Sequence, residues 1–324
     1  MRYRRLGRSA LKVSALCLGT MNFGPRTDEA GSFAILDAAI EAGINFVDTA
    51  DQYGGRLGVG ATEALLGGWL ARDRARRDRI VLATKVHEPM SDDVNDRGLS
   101  ARHIQMACDA SLKRLRVDHI DLYQMHHIDR AAPAEEIWQA MDRLIAQGKI
   151  TYVGCSNFPG WKIAQMNERA AARGRLGLVC EQSLYNLVER RAEMEVIPAC
   201  REYGLGVIAW SPLAGGLLAG MEAAATTDAS RRQSEHVRQT ADARAHQLSR
   251  LAALCASLGQ SQSAVALAWL LHQDAITSAI VGPRTLEQLS SVLHAPDLTL
   301  DAHTLAELDA IFPAVGPAPE AYAW

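Results

Sequence analysis

Short apolar runs alternate with longer amphipathic segments along most of the chain. Eight of the runs have the length, and the polar or turn-forming flanks, that are typical of buried strands. They cover residues 15–19, 44–48, 80–85, 120–125, 151–155, 178–182, 207–210 and 277–281. Two further runs, 3–6 and 11–14, flank Gly7-Arg8-Ser9 and predict a hairpin ahead of the first strand.

The segments between these strands have helical spacing. Thr62 and Ser100 each precede such a segment with a hydroxyl that can accept a hydrogen bond from the first turn, so both are predicted N-caps. Residues 221–240 lack periodicity, which predicts a long loop and, as a hypothesis, a lid carrying Arg231, Arg232 and His236. The remaining predicted helices cover 29–41, 134–147, 163–172, 196–203, 243–257, 263–271, 286–293 and 303–311.

The order of these elements predicts an α/β protein, a (β/α)8 TIM barrel with an N-terminal β-hairpin, as a single domain over residues 1–324. Each connection is long enough for a helix, so the strands are predicted to be parallel. A doubly wound open sheet is the alternative. It requires a Gly-x-Gly-x-x-Gly turn after an early strand, and the sequence from Gly58 to Glu63 lacks the third glycine.

Residues capable of chemistry stand where the predicted strands end, and barrel enzymes carry their sites at that end. Lys85 ends an apolar run, and a buried ammonium requires a compensating charge that Asp48 of the neighbouring strand can provide. Tyr53 follows Asp48 in a turn-forming segment. The other strand ends carry His126, Ser156, Asn157, Gln182, Trp210, Gly282 and Arg284.

Four of these residues are suited to protonating a carbonyl group. A free tyrosine has a pKa of about 10, and a nearby ammonium lowers a pKa by about 1 to 3 units, so Lys85 held by Asp48 would make Tyr53 a stronger acid. The imidazole of His126 would hydrogen-bond the carbonyl oxygen. Carbonyl reduction also needs a hydride that no side chain supplies, which implies a nicotinamide cofactor. No metal is predicted, because adjacent residues such as His126 and His127 are expected to diverge at a strand end and no third ligand has suitable spacing.

Four motifs give the chain a family resemblance over nearly its whole length. They are Asn45-Phe-Val-Asp-Thr-Ala-Asp-Gln-Tyr-Gly54, Asp121-Leu-Tyr-Gln-Met-His126, Val153-Gly-Cys-Ser-Asn-Phe158 and Ala209-Trp-Ser-Pro-Leu213. In this context Asp48, Tyr53, Lys85 and His126 resemble the catalytic tetrad of the aldo-keto reductases. The resemblance implies a reductase that binds NADPH across the barrel mouth. It implies cofactor contacts from Thr20, Met21, Asp48, Ser156, Asn157, Gln182, Trp210, Ser211, Pro212, Leu213, Gly215, Gly282, Arg284 and Gln288.

The resemblance also implies what several of these residues bind. Ser156, Asn157 and Gln182 would hold the nicotinamide carboxamide. Trp210 would stack on the nicotinamide ring, and residues 211–213 would meet the pyrophosphate. Trp210 followed by Ser-Pro-Leu resembles the branch with the potassium-channel β subunits and their bacterial relatives. Members of that branch often form tetramers or octamers, so homo-oligomeric assembly is a hypothesis.

The adenosine end of the cofactor depends on the last strand and the helix after it. The guanidinium of Arg284 is suited to the 2′-phosphate, which predicts a preference for NADPH over NADH. Gln288 is a further candidate contact there. Ser291 and Val292 stand where the family has a Glu-Asn pair beside the adenine, which is a departure from the family pattern.

The substrate is a small carbonyl compound whose class stays open among aromatic aldehydes, small ketones and keto-sugars. Its end of the pocket is predicted from residues 21–23, 87–89, 127–128, the 221–240 loop and the tail residues Tyr322 and Trp324. Two other functions stay open. A regulatory subunit would bind NADP(H) with little turnover, which the intact tetrad argues against. An aldolase would form a Schiff base through Lys85, which leaves Tyr53 without a role.

Composition limits the partners and the compartment. The chain has 48% hydrophobic and 22% charged residues and a net charge of -3, which gives no basic field for nucleic acid or an anionic membrane. The basic cluster at 72–79 is interpreted as the solvated end of a helix. No apolar run is long enough to span a bilayer and the N-terminus lacks a signal-peptide core, so a cytoplasmic location is expected. The six cysteines form no Cys-x-x-Cys pair, and no disulfide or structural zinc is expected.

Overall fold

Eight parallel strands close into a barrel in the computed structural model, which describes residues 1–220 and 235–323, apart from the side chain of His236. The barrel order is β3 to β10 in sequence, with β10 pairing β3 to close it. A separate antiparallel hairpin joins β1 and β2. The strands are β1 Tyr3–Arg5, β2 Lys12–Ser14, β3 Leu16–Gly19, β4 Phe46–Asp48, β5 Val81–Val86, β6 Ile120–Met125, β7 Ile150–Ser156, β8 Leu178–Leu184, β9 Gly206–Trp210 and β10 Ile276–Val281. The predicted barrel and hairpin are confirmed.

Helices connect the strands and cover the outside of the barrel. They are α1 Glu29–Glu41, α2 Ala61–Ala71, α3 Ala75–Asp78, α4 Ala101–Leu115, α5 Ala134–Ala146, α6 Gly160–Ala171, α7 Val196–Glu202, α8 Glu235–Ala243, α9 Ala245–Ser257, α10 Gln262–His272, α11 Leu286–Ser290, α12 Ala302–Ile311 and α13 Glu320–Ala323. None of the described helices alone has the length and apolarity to cross a membrane. The pair α9 and α10, bent by 94° between them, passes that test only when taken together.

The core has two layers. One fills the barrel interior with apolar side chains from the strands, and Leu6 and Val13 of the hairpin close its lower end. The other lies between the strands and the helices and includes Trp69, Trp138 and Trp269, each almost fully buried. Because both faces of every barrel strand are covered, the strands are apolar on both sides, which made them recognisable as continuous runs in the sequence.

Two local predictions around α2 are wrong. The N-cap of α2 is Gly60 and not Thr62, which lies inside the helix and donates a hydrogen bond to the Phe23 carbonyl over 3.0 Å. Gly60 has a left-handed φ of 81°, and a Cβ there would come within 2.6 Å of the Arg114 side chain. Tertiary contact with Arg114 therefore overrides the usual preference for a hydroxyl cap.

The second wrong prediction is the interpretation of the basic cluster at 72–79 as only a solvated helix end. It contains the separate short helix α3, and the Arg77 side chain is only 15% exposed. Its guanidinium lies 2.7 Å from the Asp121 carboxylate and donates to the Ile80 carbonyl. Arg77 thus fastens α3 to the lower ends of β5 and β6.

The segment predicted as a long loop is partly helical. Residues 221–234, with Arg231 and Arg232 of the hypothesised lid, lie outside the described residues, as does the side chain of His236. Residues 235–240 belong to α8, so their prediction as loop is wrong. Val237 of α8 approaches Gly215, where an added Cβ would meet its side chain at 3.2 Å. This packing against the barrel mouth fixes the helix, and it could not be read from local periodicity.

Candidate active site

A cavity of about 860 Å³ opens at the carboxyl ends of the barrel strands. Most of the predicted site residues line it, although they come from all parts of the sequence. The predicted residues in its wall are Thr20, Met21, Asp48, Tyr53, His126, Ser156, Asn157, Gln182, Trp210, Ser211, Pro212, Leu213, Gly215, Gly282, Arg284 and Gln288. Lys85 is fully buried behind this wall.

Lys85 and Asp48 form a buried ion pair on adjacent strands. The Lys85 ammonium donates to Oδ2 of Asp48 over 2.5 Å and to the Thr49 carbonyl over 2.8 Å. Burial by itself would lower the pKa of Lys85, but the Asp48 carboxylate and the Tyr53 hydroxyl raise it, and the net pKa lies above the ordinary value. Lys85 is therefore a permanent ammonium at physiological pH.

Three side chains donate hydrogen bonds to the Asp48 carboxylate, and one of them, Gln124, was not predicted from the sequence. Gln124 of β6 donates to Oδ1 of Asp48 over 3.0 Å, and Gln182 donates to the same oxygen over 2.9 Å. Both carboxylate oxygens of Asp48 are thereby occupied. Gln124 stands two residues before His126, and that period-two spacing, which turns both side chains inward, was the available signal.

Tyr53 and His126 face each other at the inner end of the cavity. The Tyr53 hydroxyl lies 3.4 Å from the Lys85 ammonium, and the Tyr53 ring meets the His126 ring edge-on at a centroid distance of 5.9 Å. Burial lowers the pKa of His126 to about 2, with a smaller effect from the Lys85 charge. His126 is therefore a neutral imidazole that can hydrogen-bond a ligand without changing its charge.

Asn157 connects three parts of the cavity wall. Its backbone is left-handed, with a φ of 58°, a conformation that Asn tolerates better than most residues. The Asn157 amide donates to the His126 carbonyl over 3.1 Å and to the Ser156 hydroxyl over 3.0 Å, and its oxygen accepts from the Trp210 indole over 3.1 Å. The side chain thus ties the ends of β6, β7 and β9 together.

The chain after β9 bends sharply along the cavity. Ser211, Ala214, Gly215 and Gly216 all have left-handed φ values, between 48° and 101°. The amide of Asn186 donates to the Ser211 carbonyl over 3.0 Å and holds the start of this bend. Successive turns of this kind direct backbone N–H groups toward one side, which is an arrangement that suits anions.

The far end of the cavity is formed by the loop after β10. The Gln288 side chain accepts a hydrogen bond from the Arg284 N–H over 2.8 Å, and Thr285 caps α11. The Ser291 hydroxyl donates to the Gln288 carbonyl. Two of the residues proposed for adenosine contacts thus also stabilise the turn. Val292 is buried, and it lines the cavity together with Ser291.

Glu181 is a buried carboxyl group behind the wall that the sequence did not reveal. Its Oε1 accepts from the Phe158 N–H over 3.1 Å and from the Ser183 hydroxyl over 2.8 Å, so it holds the turn that contains Asn157. The titratable groups around it are thiols: Cys155, Cys180 and Cys200. Burial raises the pKa of Glu181 to about 7.

We expect Glu181 to make stability fall as pH rises. An unfolded Glu ionises near its ordinary pKa of 4.5, whereas the buried group keeps its proton until about pH 7, so its contribution is complete below pH 4.5 and is lost as pH rises through 7. The loss amounts to about 3 kcal/mol. Glu181→Gln should reduce the difference between the free energies of unfolding at pH 5 and pH 8, measured with urea. The surface variant Glu202→Gln is the control, and an equal difference in both variants would contradict the prediction.

The tail lies away from the cavity. Tyr322 is 71% exposed and does not line it, while the Val315 and Ala318 N–H groups bond to Glu193 and Met194. Trp324 lies outside the described residues. The predicted role of the tail in lining the substrate pocket is therefore wrong for Tyr322.

Comparison with known sequences defines the class of this barrel. The profile of the Aldo/keto reductase family matches residues 15–312, so the chain belongs to the aldo/keto reductase family and is an oxidoreductase of carbonyl compounds.

Several relatives align over most of their length. The chain is 49% identical to "Uncharacterized oxidoreductase YrpG" of Bacillus subtilis, with 100% of both chains covered. It is 34% identical to a "Probable voltage-gated potassium channel subunit beta" of Oryza sativa, with 92% of each covered. It is 32% identical to the norsolorinic acid reductase stcV of Emericella nidulans, with 94% of this chain and 80% of the relative covered. The predicted family and branch are confirmed.

Proposed function

We propose that the protein reduces an aldehyde or ketone to an alcohol with NADPH, and that Tyr53 donates the proton. The observation that carries this proposal is the chain of contacts from Asp48 through Lys85 to the Tyr53 hydroxyl, which ends at the cavity beside a neutral His126. A keto-sugar is one substrate class that such a site would accept. The names of the fungal relatives, which include norsolorinic acid reductase and versiconal hemiacetal acetate reductase, support reduction.

Different side chains of the site donate the proton, stabilise the resulting tyrosinate and orient the substrate carbonyl. NADPH, when bound, supplies the hydride to the carbonyl carbon. The Tyr53 hydroxyl gives its proton to the carbonyl oxygen, and the Lys85 ammonium stabilises the tyrosinate that remains. His126 hydrogen-bonds the carbonyl oxygen as a neutral imidazole, so it does not compete with Tyr53 as the proton donor. Solvent then returns a proton to Tyr53.

The donor set of the cavity fits an extended dinucleotide. Amide and hydroxyl groups lie at the inner end, the Trp210 indole stands beside them, a run of left-handed turns follows β9, and a guanidinium lies at the far end. These groups match in order a carboxamide, an aromatic ring, a diphosphate and a phosphate. The proposed cofactor residues are Thr20, Met21, Asp48, Ser156, Asn157, Gln182, Trp210, Ser211, Pro212, Leu213, Gly215, Gly282, Arg284 and Gln288.

The two alternative functions have different support. A regulatory NADP(H)-binding subunit is kept as the second candidate, because the rice potassium-channel relative aligns over 92% of its length. A Schiff-base aldolase is disfavoured, since Lys85 is fully buried, bonded to Asp48, and has a raised pKa that keeps it protonated. Imine formation needs the free amine.

The proposal is tested by mixing purified protein with NADPH and a panel of aromatic aldehydes, small ketones and keto-sugars. Loss of NADPH absorbance that depends on both protein and carbonyl compound is the expected result. Tight NADPH binding without turnover across the panel would instead favour the regulatory subunit. Borohydride trapping of a substrate on the protein would favour the aldolase.

Arg284→Ala is expected to weaken NADPH binding by about 10- to 100-fold, because a charge-assisted phosphate contact is worth about 1.5–3 kcal/mol. NADH has no 2′-phosphate, so its Kd should change by less than about twofold. Quenching of tryptophan fluorescence measures both constants. Arg26→Ala is the matched variant, because Arg26 also lines the cavity. A selective loss of NADPH affinity in Arg26→Ala alone would contradict the assignment.

The proposal extends to the compartment and the assembly of the protein. All six cysteines are free and buried, which suits a reducing cytoplasm. Homo-oligomeric assembly stays a hypothesis that light scattering of the purified protein tests.

A further inference from the structure

A charged group that the proposed reaction does not use lies behind the cavity wall, next to His127. His127, which lines the cavity, stacks on His126 with a ring-centroid distance of 5.0 Å and an angle of 17°. Nε2 of His127 lies 3.2 Å from Oε1 of Glu88, and Nδ1 of His87 lies 3.5 Å from the same oxygen. The Glu88 carboxylate is therefore one imidazole away from the proposed catalytic histidine.

Among the described residues, the ion-pair partners of Glu88 are two imidazoles, those of His87 and His127. Burial lowers the pKa of His127, although Glu88 acts to raise it, so His127 is mostly neutral at neutral pH. The Glu88 side chain is only 24% exposed, which limits screening by solvent. A single negative charge thus acts on whatever occupies the cavity beside His127.

Positive charge lies on the other side of the mouth. Arg284 follows β10, and β10 and β6 are four strands apart in the closed eight-stranded barrel, so the loop of His127 lies opposite that arginine. Arg26 is on the loop that contacts the β10 end, where Thr27 donates to the Arg284 carbonyl. Among the described residues that line the cavity, Arg26 and Arg284 lie on this side and Asp48 is paired with Lys85, whereas the Glu88 charge lies behind the opposite wall.

We propose that Glu88, positioned by His127 and His87, selects the substrate by charge: it disfavours carbonyl compounds that carry a carboxylate or phosphate and favours those that carry a cationic group. Across the His127 imidazole, the carboxylate attracts a cation and repels an anion, while an uncharged substituent is little affected. This inference rests on the proposed reductase function. Glu88 is a specificity-determining residue that does not touch the reacting atoms.

The test compares Glu88→Gln with the wild type on three para-substituted benzaldehydes, which carry a carboxylate, a hydroxymethyl and a trimethylammonium group. Each substrate serves as its own reference, so ring electronics cancel in the ratio of kcat/KM values. Glu88→Gln should raise kcat/KM for the carboxylate about 5- to 10-fold and lower it similarly for the cation. The hydroxymethyl compound should change by less than about threefold. Added salt should shrink both charge effects.

Asp92→Asn is the matched control, because it removes one negative charge from an exposed position on the same loop. It should change none of the three ratios by more than about twofold. Equal effects of Glu88→Gln on the anionic and cationic aldehydes, or equal effects of both variants, would overturn the inference while leaving the reductase proposal intact. Absence of turnover of all three aldehydes by the wild type would instead count against the proposed function itself, on which the inference depends.

Discussion

Replacement of Tyr53 by Phe is expected to lower kcat for aldehyde reduction by about 10³-fold and to change the Kd for NADPH by less than about threefold. Positioned general acids contribute about 10²- to 10⁴-fold to a rate, and Phe removes only the hydroxyl that would donate the proton. The ring of Phe can keep the edge contact with His126 and the position of the Lys85 ammonium 5.0 Å from its centroid. The loss should therefore appear in kcat and not in cofactor binding.

Tyr123→Phe is the matched control for this result. Tyr123 is a fully buried residue of β6 whose hydroxyl donates to the Ile104 carbonyl over 3.4 Å, outside the cavity. Its replacement removes the same atom from the same barrel, and kcat should stay within about twofold. Turnover by Tyr53→Phe at the wild-type rate would refute the role of Tyr53 as the acid. A parallel loss of NADPH binding would show that Tyr53 shapes the cofactor site.

Lys85→Met is expected to destabilise the protein by about 3–5 kcal/mol and to lower kcat at least about 100-fold. Removing one member of a buried ion pair leaves the other charge buried without compensation, which costs about that amount. Asp48 would keep only the amide donors of Gln124 and Gln182. Tyr53 would at the same time lose the ammonium that stabilises its anion, so kcat/KM should reach its maximum at a different pH. Urea unfolding and steady-state kinetics measure the two effects.

The double variant Asp48→Asn/Lys85→Met separates stability from catalysis. It removes both charges, so the free energy of unfolding should recover by about 2 kcal/mol or more relative to Lys85→Met. Activity should not recover, because Tyr53 still lacks the ammonium. If the double variant is no more stable than Lys85→Met alone, the carboxylate was not left uncompensated, and the energetic account of the pair is wrong. If its activity returns, Lys85 does not act on Tyr53.

Much of the fold was predictable from the sequence because parallel barrel strands are buried on both faces. Such strands appear as apolar runs, and β6 was predicted at its observed bounds of Ile120–Met125. Ser100 caps α4 as predicted, because its bond to the His103 N–H is local in the chain. Barrel enzymes carry their sites at the carboxyl ends of the strands, so the sequence alone predicted four site residues: Asp48, Tyr53, Lys85 and His126.

Contacts between residues far apart in sequence could not be predicted in the same way. Gln124 and Gln182 both donate to Asp48, from 76 and 134 residues away in the sequence. The local sequence does not indicate which residues of different strands lie at the same level in the barrel. Glu181 gave no signal either, since a carboxylate in a strand is ordinarily exposed and only its burial makes it unusual. The N-cap of α2 is Gly60 and not the predicted Thr62, because the Arg114 side chain of another helix leaves no room for a Cβ at position 60.

The sequence by itself determined the kind of protein and the four residues proposed for proton transfer, because short-range patterns of apolar runs and polar strand ends are set by local burial. The tertiary structure decided how those residues are held: the donors to Asp48, the Asn157 link between three strands, the buried Glu181 and the Glu88 charge beside His127. These depend on the closure and register of the barrel, which come from the packing of all eight strands together and from no single segment of the chain.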